Sequence, residues 1–118
     1  MENKDFGKKL EERTLCFGTT IIRMSIQLPN IPEGRVIRTQ ITKSGTSVGA
    51  NYREANRLRS RADFKNKISI CTSEACETQY WLDVIQRVKF YSKPNFGNIY
   101  KECCELIALF TAIHKSTK

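Results

Sequence analysis

One segment of this sequence matches a catalytic motif, with a serine between two glycines. The letters GTSVG at residues 45–49 have the spacing of the G-x-S-x-G nucleophile elbow. That elbow needs a strand before the serine and a helix after it, with an acid and a histidine to complete a triad. The residues before the motif follow a helical pattern instead, and the single histidine is His114, near the end of the last helical pattern. We therefore expect no hydrolase site and no enzymatic activity.

Cysteines are the other residues with reactive side chains. There are five, at Cys16, Cys71, Cys76, Cys103 and Cys104. Their number is odd, no two form a C-x-x-C pair, and one histidine is too few to complete the usual ligand sets. Neither a disulfide framework nor a zinc site is indicated. We expect free thiols in a reducing compartment, and no metal or cofactor.

Basic side chains are densest between the predicted second and third helices. Six lie there: Arg53, Arg57, Arg59, Arg61, Lys65 and Lys67. Only Glu54 and Asp63 oppose them locally. Such residues at a helix junction contact phosphates, and the amides that open the third helix add to the same anion site. We predict a nucleic-acid contact here; the alternative is a solvated bundle end that keeps the protein soluble.

A line of polar residues runs along the predicted second helix. It consists of Ser44, Ser47, Asn51 and Glu54. Ser44 and Asn51 lie beside the apolar stripe of this helix, so they should be half-buried and need hydrogen-bond partners. Glu74 and Glu77 of the third helix are at a suitable height to accept. We predict a polar network that fixes the register of the two helices; contact with a ligand is the alternative.

Gly45 and Gly49 form a G-x-x-x-G spacing on one side of the same helix. In membranes this spacing lets two helices approach closely, but this segment is too polar to span a bilayer. A neighbouring backbone or a large ring can rest on such a surface. Trp81 and Tyr80 are the rings that we expect there.

Composition limits the class of protein. The 118 residues suffice for one domain, which we place at 1–118, and no apolar run reaches the length of a membrane span. The first residues lack the apolar centre of a signal peptide, so we expect a soluble cytoplasmic protein. Twenty Lys and Arg against twelve Asp and Glu leave a net charge of +8. This excess favours polyanionic partners, nucleic acid first among them.

Apolar residues step by four and three along four segments. The stepping predicts helices over about residues 5–28, 35–58, 61–91 and 96–115, and Ser60 followed by Asp63 is typical of a helix start. No strand pattern competes with them. Short connections favour an all-α fold, an up-down-up-down antiparallel four-helix bundle.

The first and third helices carry a second apolar arc beside the core stripe. Its members are Leu15, Ile22 and Ile26 on the first helix, and Ile70, Trp81, Val84 and Val88 on the third. Exposed apolar patches mark interfaces, so we predict a homo-oligomer that uses both helices. The alternative is a wide core stripe packed against both neighbours.

Residues 40–85 resemble a bacterial four-helix-bundle family named for proteins encoded in intervening sequences of the 23S ribosomal RNA gene. The resemblance is carried by Ser44, Ser47, Asn51 and Glu54, and then by Phe64, Glu74, Ala75, Glu77 and Leu82. It implies a ring-shaped homopentamer. It also implies kinship with a basic relative that assists the reverse transcriptase of diversity-generating retroelements by binding nucleic acid. No catalytic residues follow from it.

Two functions fit these observations. The first is a non-enzymatic, basic, oligomeric bundle that binds RNA or DNA mainly through phosphates. The second is a protein-interaction adaptor, for example an accessory subunit of a reverse transcriptase, whose binding to nucleic acid is incidental.

Overall fold

The computed structural model describes residues 4–118, and this part of the chain folds into four α-helices. They are α1 (Lys4–Ser25), α2 (Pro32–Ala55), α3 (Arg61–Val88) and α4 (Phe96–Ser116). α2 packs against α1 and α3, α3 packs against α4, and α1 meets α4 in fewer places. Short connections join helices that pack on each other, so consecutive helices are antiparallel and form the predicted four-helix bundle.

The long axis of the fold is about as long as its longest helix. The 28 residues of α3 span about 42 Å at 1.5 Å per residue, which matches the 44 Å long axis of the fold. The four helices therefore run side by side, and both bundle ends are built from helix termini. One end holds the start of α1, the end of α2, the start of α3 and the end of α4.

The core is formed by the predicted stripes of each helix. Phe110 of α4 is fully buried, and its ring lies 5.5 Å from that of Tyr52 on α2. The other large side chains that are completely enclosed are Ile21, Met24, Ile41, Val48, Ile68, Leu82, Ile85 and Leu106. All four helices contribute to this one cluster, which makes its burial the main source of stability.

Two helix starts show how the sequence selects them. Ser60 precedes α3, and its hydroxyl accepts a hydrogen bond of 3.2 Å from the backbone amide of Asp63, which confirms the predicted cap. α2 begins at Pro32, three residues before the predicted start. Proline suits this first position because its fixed φ is already helical and its missing amide hydrogen has no role there.

Three helices end earlier than the spacing predicts, at Ser25, Ala55 and Val88 instead of 28, 58 and 91. The apolar stepping continues past the ends of α1 and α3 because the following turns return Leu28 and Tyr91 to the core. At the end of α3 this reversal uses Lys89, whose φ of 61° is left-handed.

Leu58 marks the predicted end of the second helix, but unlike Leu28 and Tyr91 it is not returned to the core. It lies outside α2 and is 39% exposed, so it is not part of the core stripe.

Arg13 links α1 to α4 where these helices otherwise meet little. Its Nε and Nη2 donate to the two carboxylate oxygens of Glu102 at 2.7 Å each, and Nη2 also lies 2.8 Å from Glu105. This forked geometry is the strongest form of an arginine ion pair. The hydrogen bonds from Arg13 to Glu102 raise the pKa of its guanidinium further above its usual range.

None of the helices within residues 4–118 is both long enough and apolar enough to cross a membrane.

Candidate nucleic-acid interface

The connection between α2 and α3 and the first turns of α3 carry a set of exposed or half-buried cations. Arg57, Arg59 and Arg61 are exposed, and Lys65 is half-buried on the first turns of α3. Within residues 4–118, none of these four forms an ion pair. We call them the junction cations. Their charge is available to an external anion.

The other two predicted phosphate contacts are engaged within the molecule. The Nε of Arg53 lies 3.8 Å from Glu11 of α1, and the Nζ of Lys67 lies 2.8 Å from Glu54. The ion pair with Lys67 holds the pKa of the Glu54 carboxyl below its usual value. Arg53 and Lys67 are therefore less available than the junction cations.

The predicted polar line divides into a buried part and a surface part. Ser44 is buried, and its hydroxyl is hydrogen-bonded at 2.8 Å to that of Thr78 on α3. Asn51 is half-buried and accepts from Lys67 at 3.4 Å. Ser47 donates to the carbonyl oxygen of Lys43 within its own helix. Polar contacts thus join α2 to α3 at two levels along the helix axes.

The acceptors predicted for this network are wrong. Glu74 participates through its backbone carbonyl, which accepts from Thr78 at 2.8 Å, and the carboxylate of Glu77 accepts from Trp81 at 3.3 Å. Short hydroxyl side chains fill the narrow space between α2 and α3, and this leaves the longer carboxylates toward the outside. Partial burial, with the neighbouring Glu77 carboxylate, raises the pKa of Glu74.

The glycine surface of α2 faces α1. A methyl group added at Gly45 would lie 2.9 Å from Cγ2 of Ile21, and one added at Gly49 would lie 3.1 Å from Oγ1 of Thr14. The expectation of a close neighbour is confirmed, but the proposed rings are wrong. Tyr80 and Trp81 instead contact each other edge to face, with centroids 5.0 Å apart.

The residues predicted for an oligomer interface fall into two groups. Five are exposed: Leu15, Ile22, Ile26, Ile70 and Val88. Trp81 and Val84 are half-buried and pack against the core, as a wide core stripe would require. Beside the exposed α1 residues, a groove of about 410 Å³ lies between α1 and α2.

An open cavity of about 780 Å³ lies at the bundle end that carries the junction cations. We call it the end cavity. Its apolar lining includes Phe6, Tyr52, Phe64 and Ile113, and its polar lining includes Lys4, Lys8, Asn56, Ser116 and Thr117. Tyr52 lies near the end of α2 and Phe64 near the start of α3, so both are close in sequence to the junction cations.

Apart from Asn56, which directly follows α2, the remaining lining residues escaped the sequence analysis because they come from the two ends of the chain. The signal that would have found them is the topology. An antiparallel bundle places the start of α1 and the end of α4 beside the α2–α3 connection.

All five cysteines are free thiols. Burial raises the pKa of the Cys71 and Cys103 thiols to about 12. Cys16 and Cys76 are exposed, and Cys104 is half-buried. Among the residues from 4 to 118, no three cysteine, histidine or acidic side chains come together as metal ligands.

Comparison with known proteins identifies the family. The sequence model described as 23S rRNA-intervening sequence protein matches residues 9–112, from the first turns of α1 to near the end of α4. The chain belongs to the 23S rRNA-intervening sequence protein family. The family resemblance seen in residues 40–85 is thereby confirmed.

A solved structure supports this membership. The chain is similar to a protein of unknown function from the S23 ribosomal protein family of Bacteroides thetaiotaomicron, with 35% identity and a TM-score of 0.84. The match covers 93% of this chain and 98% of the Bacteroides chain. No curated protein matches it. Family membership therefore agrees with the four-helix fold.

Proposed function

We propose that this protein is a non-enzymatic nucleic-acid-binding bundle that contacts RNA or DNA mainly through phosphates. The observation that carries the proposal is the group of junction cations, Arg57, Arg59, Arg61 and Lys65, which have no ion-pair partner within residues 4–118. A net charge of +8 adds long-range attraction to the same kind of partner. Cations at one bundle end provide a local site within that general field.

The geometry favours contact with the backbone over sequence readout. The exposed arginines lie on a connection and on the first turn of a helix, a placement that suits contact with phosphates. Phosphate contacts of this kind position a strand without reading it.

Self-association would multiply this contact. We propose a homo-oligomer formed through the exposed apolar residues of α1 and α3, with five copies as the family resemblance implies. Each copy presents one set of junction cations, so a long strand engages several sets at once. Binding at one set then raises the effective concentration at the next.

Salt dependence tests the phosphate mechanism. We expect binding of a fluorescent RNA to weaken steeply between roughly 50 and 200 mM salt, because phosphate contacts release counterions. The triple variant R57Q/R59Q/R61Q should bind more weakly and show a smaller salt slope, by about one for each phosphate that the variant no longer neutralises. No binding at low salt, or binding insensitive to salt, would refute the proposal.

A matched control removes three charges elsewhere. Arg23, Arg87 and Lys101 are also exposed and also lack ion pairs within the described part of the chain. The variant R23Q/R87Q/K101Q has the same net charge as the junction variant. Equal loss of affinity in both variants would show that only overall charge matters.

The groove between α1 and α2 favours a second candidate, a protein-interaction adaptor. Leu15 and Ile22 line this groove of about 410 Å³, and its charged lining is mixed, with Arg53 and Arg57 beside Glu11 and Glu54. A protein segment with apolar side chains and charged groups of both signs complements it, and an accessory role beside a reverse transcriptase is the example that the resemblance implies. A partner that still co-purifies after complete nuclease digestion would support this candidate over the first.

A further inference from the structure

The end cavity combines flat apolar surfaces with polar groups. Tyr52 is almost fully enclosed at its base, Phe64 is half-buried, and Phe6 is 40% exposed. Asn56, Ser116 and Thr117 place an amide and two hydroxyls on the same lining. Asn56 donates to Glu11 and both hydroxyls donate to the carbonyl oxygen of Ile113, so the oxygens of these three side chains are left to accept from a ligand. A planar molecule with hydrogen-bonding edges fits such a lining, because rings stack on its faces and polar groups meet its edges.

The charge around the cavity selects an anionic molecule. Lys4 and Lys8 belong to its lining, and neither forms an ion pair within residues 4–118. Glu11 also lines the cavity, but its carboxylate accepts from Asn56 at 2.8 Å and lies 3.8 Å from Arg53, so its charge is offset within the molecule. The α2–α3 connection that carries Arg57 and Arg59 begins directly after Asn56, which itself lines the cavity. Cations thus lie in the lining of this aromatic cavity and on the connection that follows one of its lining residues. A lipid tail or an apolar protein side chain would make no use of the charges and amide together.

We propose that the end cavity receives an unstacked nucleobase from a single strand whose phosphates lie on the junction cations. This inference rests on the proposed nucleic-acid binding and narrows its substrate to single strands, strand ends or looped-out bases. A volume of about 780 Å³ is ample for one nucleotide, and pockets of this size commonly hold small planar ligands. A continuous duplex cannot enter, because its bases are paired and stacked.

A strand without bases tests the proposal. Two strands of about ten nucleotides, one of oligouridine and one of abasic sugar phosphate, carry the same charge. We expect the protein to bind oligouridine about tenfold more tightly than the abasic strand at equal salt, which is the usual size of one base–aromatic stack. A duplex of the same length should gain affinity over the abasic strand only through its greater charge, because its stacked bases cannot enter the cavity.

Filling the cavity separates base binding from phosphate binding. A side chain at Gly7 would point toward Asn56 and Tyr52, since an added methyl would lie 3.4 Å from Nδ2 of the former and 3.9 Å from the hydroxyl of the latter. Gly7→Leu should abolish the preference for oligouridine and leave the affinity for the abasic strand unchanged. Phe64→Leu, which keeps an apolar side chain but removes the ring, should reduce the same preference.

Gly97→Leu is the matched control. It adds the same side chain to the first turns of α4, at the opposite bundle end, where nothing lies within 4 Å of an added methyl. It should keep the full preference for oligouridine.

The outcomes distinguish the two proposals. Failure of both strands to bind contradicts the nucleic-acid function itself. Equal binding of both strands by the unmodified protein supports phosphate contact but refutes base insertion. A preference for oligouridine that survives Gly7→Leu places the base outside the cavity and overturns the proposal. If Gly7→Leu also releases a protein partner while the preference stays intact, the cavity binds a protein segment, and the proposal is again overturned.

Discussion

Ser44 and Thr78 form a buried polar contact between α2 and α3, and we expect it to help fix the register of these helices. Both side chains are buried, and their hydroxyl oxygens are 2.8 Å apart. Thr78 is also hydrogen-bonded to the carbonyl oxygen of Glu74, and Ser44 lies 3.4 Å from that of Ile41. A slip of α3 by one residue would separate the hydroxyls and bury both without this contact, which is costly in a dry interior.

A double-mutant cycle measures this contact. We expect Ser44→Ala and Thr78→Val to lower the free energy of unfolding by about 1 kcal/mol each, with a coupling energy of similar size between them. Urea denaturation of the unmodified protein, the two single variants and the double variant gives the four free energies of unfolding that the cycle needs. Ser47→Ala is the control on the same helix, since that hydroxyl bonds only within α2, and its effect should stay below about 0.5 kcal/mol. A coupling energy near zero would show that the two hydroxyls contribute independently.

The cysteines differ in reactivity because they differ in burial. The thiolate is the reactive form, and a pKa of about 12 keeps Cys71 and Cys103 protonated at any ordinary pH. Cys76 is exposed, whereas the hydrogen bond to Glu12 raises the pKa of the exposed Cys16. We expect iodoacetamide at about pH 8 to modify Cys76 first and Cys16 more slowly.

Mass spectrometry of peptides from the labelled protein reads out this order. Cys71 and Cys103 should react only after denaturation, because folding both covers them and disfavours their charged form. Labelling of Cys103 in the native protein at the rate of Cys76 would mean that the core between α3 and α4 opens easily.

The close approach of α1 and α2 depends on glycine. Gly45 faces Ile21, and Gly49 faces Thr14, whose carbonyl carbon would lie 3.2 Å from an added methyl. Gly18 of α1 faces the backbone of Thr46 in return. Three glycines therefore meet along one interface, where their missing side chains offset their poor helix propensity.

Alanine at Gly45 should destabilise the protein despite its better helix propensity. Overpacking costs about 1 to 3 kcal/mol, and the helix gains about 1 kcal/mol, so we expect a net loss of roughly 1 kcal/mol. Gly97→Ala is the control, because an added methyl there meets open space, and it should be neutral or slightly stabilising. Thermal unfolding compares the two. A gain in Tm from Gly45→Ala would show that α1 shifts at no cost.

At the level of helices, the sequence predicted how many helices there are, their order and which face of each helix is buried, because all three follow from the spacing of the apolar residues. It predicted the ends less well. Leu28 and Tyr91 keep the helical stepping but lie in turns, since a buried residue can be supplied by either structure. The acceptors of the polar line were also predicted wrongly, because the hydroxyl of Thr78 and the backbone carbonyl of Glu74 take the places expected for the Glu74 and Glu77 carboxylates.

At the level of the whole molecule, the junction cations were visible in the sequence as one dense segment. The end cavity was not, because its lining comes from all four helices. Phe6 and Ile113 are at opposite ends of the chain, and only the antiparallel topology brings them together. Which charges remain unpaired was equally hidden, as Glu11 reaches Arg53 from another helix.

Assembly through α1 is open to a direct test. Ile22 and Ile26 are four residues apart in sequence and are 39% and 65% exposed, and apolar side chains that are exposed together gain by burial between copies. We expect light scattering to show an oligomer for the unmodified protein and a smaller species for Ile22→Lys/Ile26→Lys. Val36→Lys, at a 58% exposed position outside the predicted interface, is the control and should leave the oligomer intact. A monomeric unmodified protein would exclude the assembly.

The scarcity of contacts between α1 and α4 has a consequence for how the chain reaches this fold. Nearly all packing joins helices that are neighbours in sequence, so few long loops must close before stabilising contacts form. Proteins with such local contacts fold within about microseconds to milliseconds. A newly made chain can thus build the bundle hairpin by hairpin. Arg13 is 89 and 92 residues from Glu102 and Glu105, so we expect these ion pairs to form after the local hairpins.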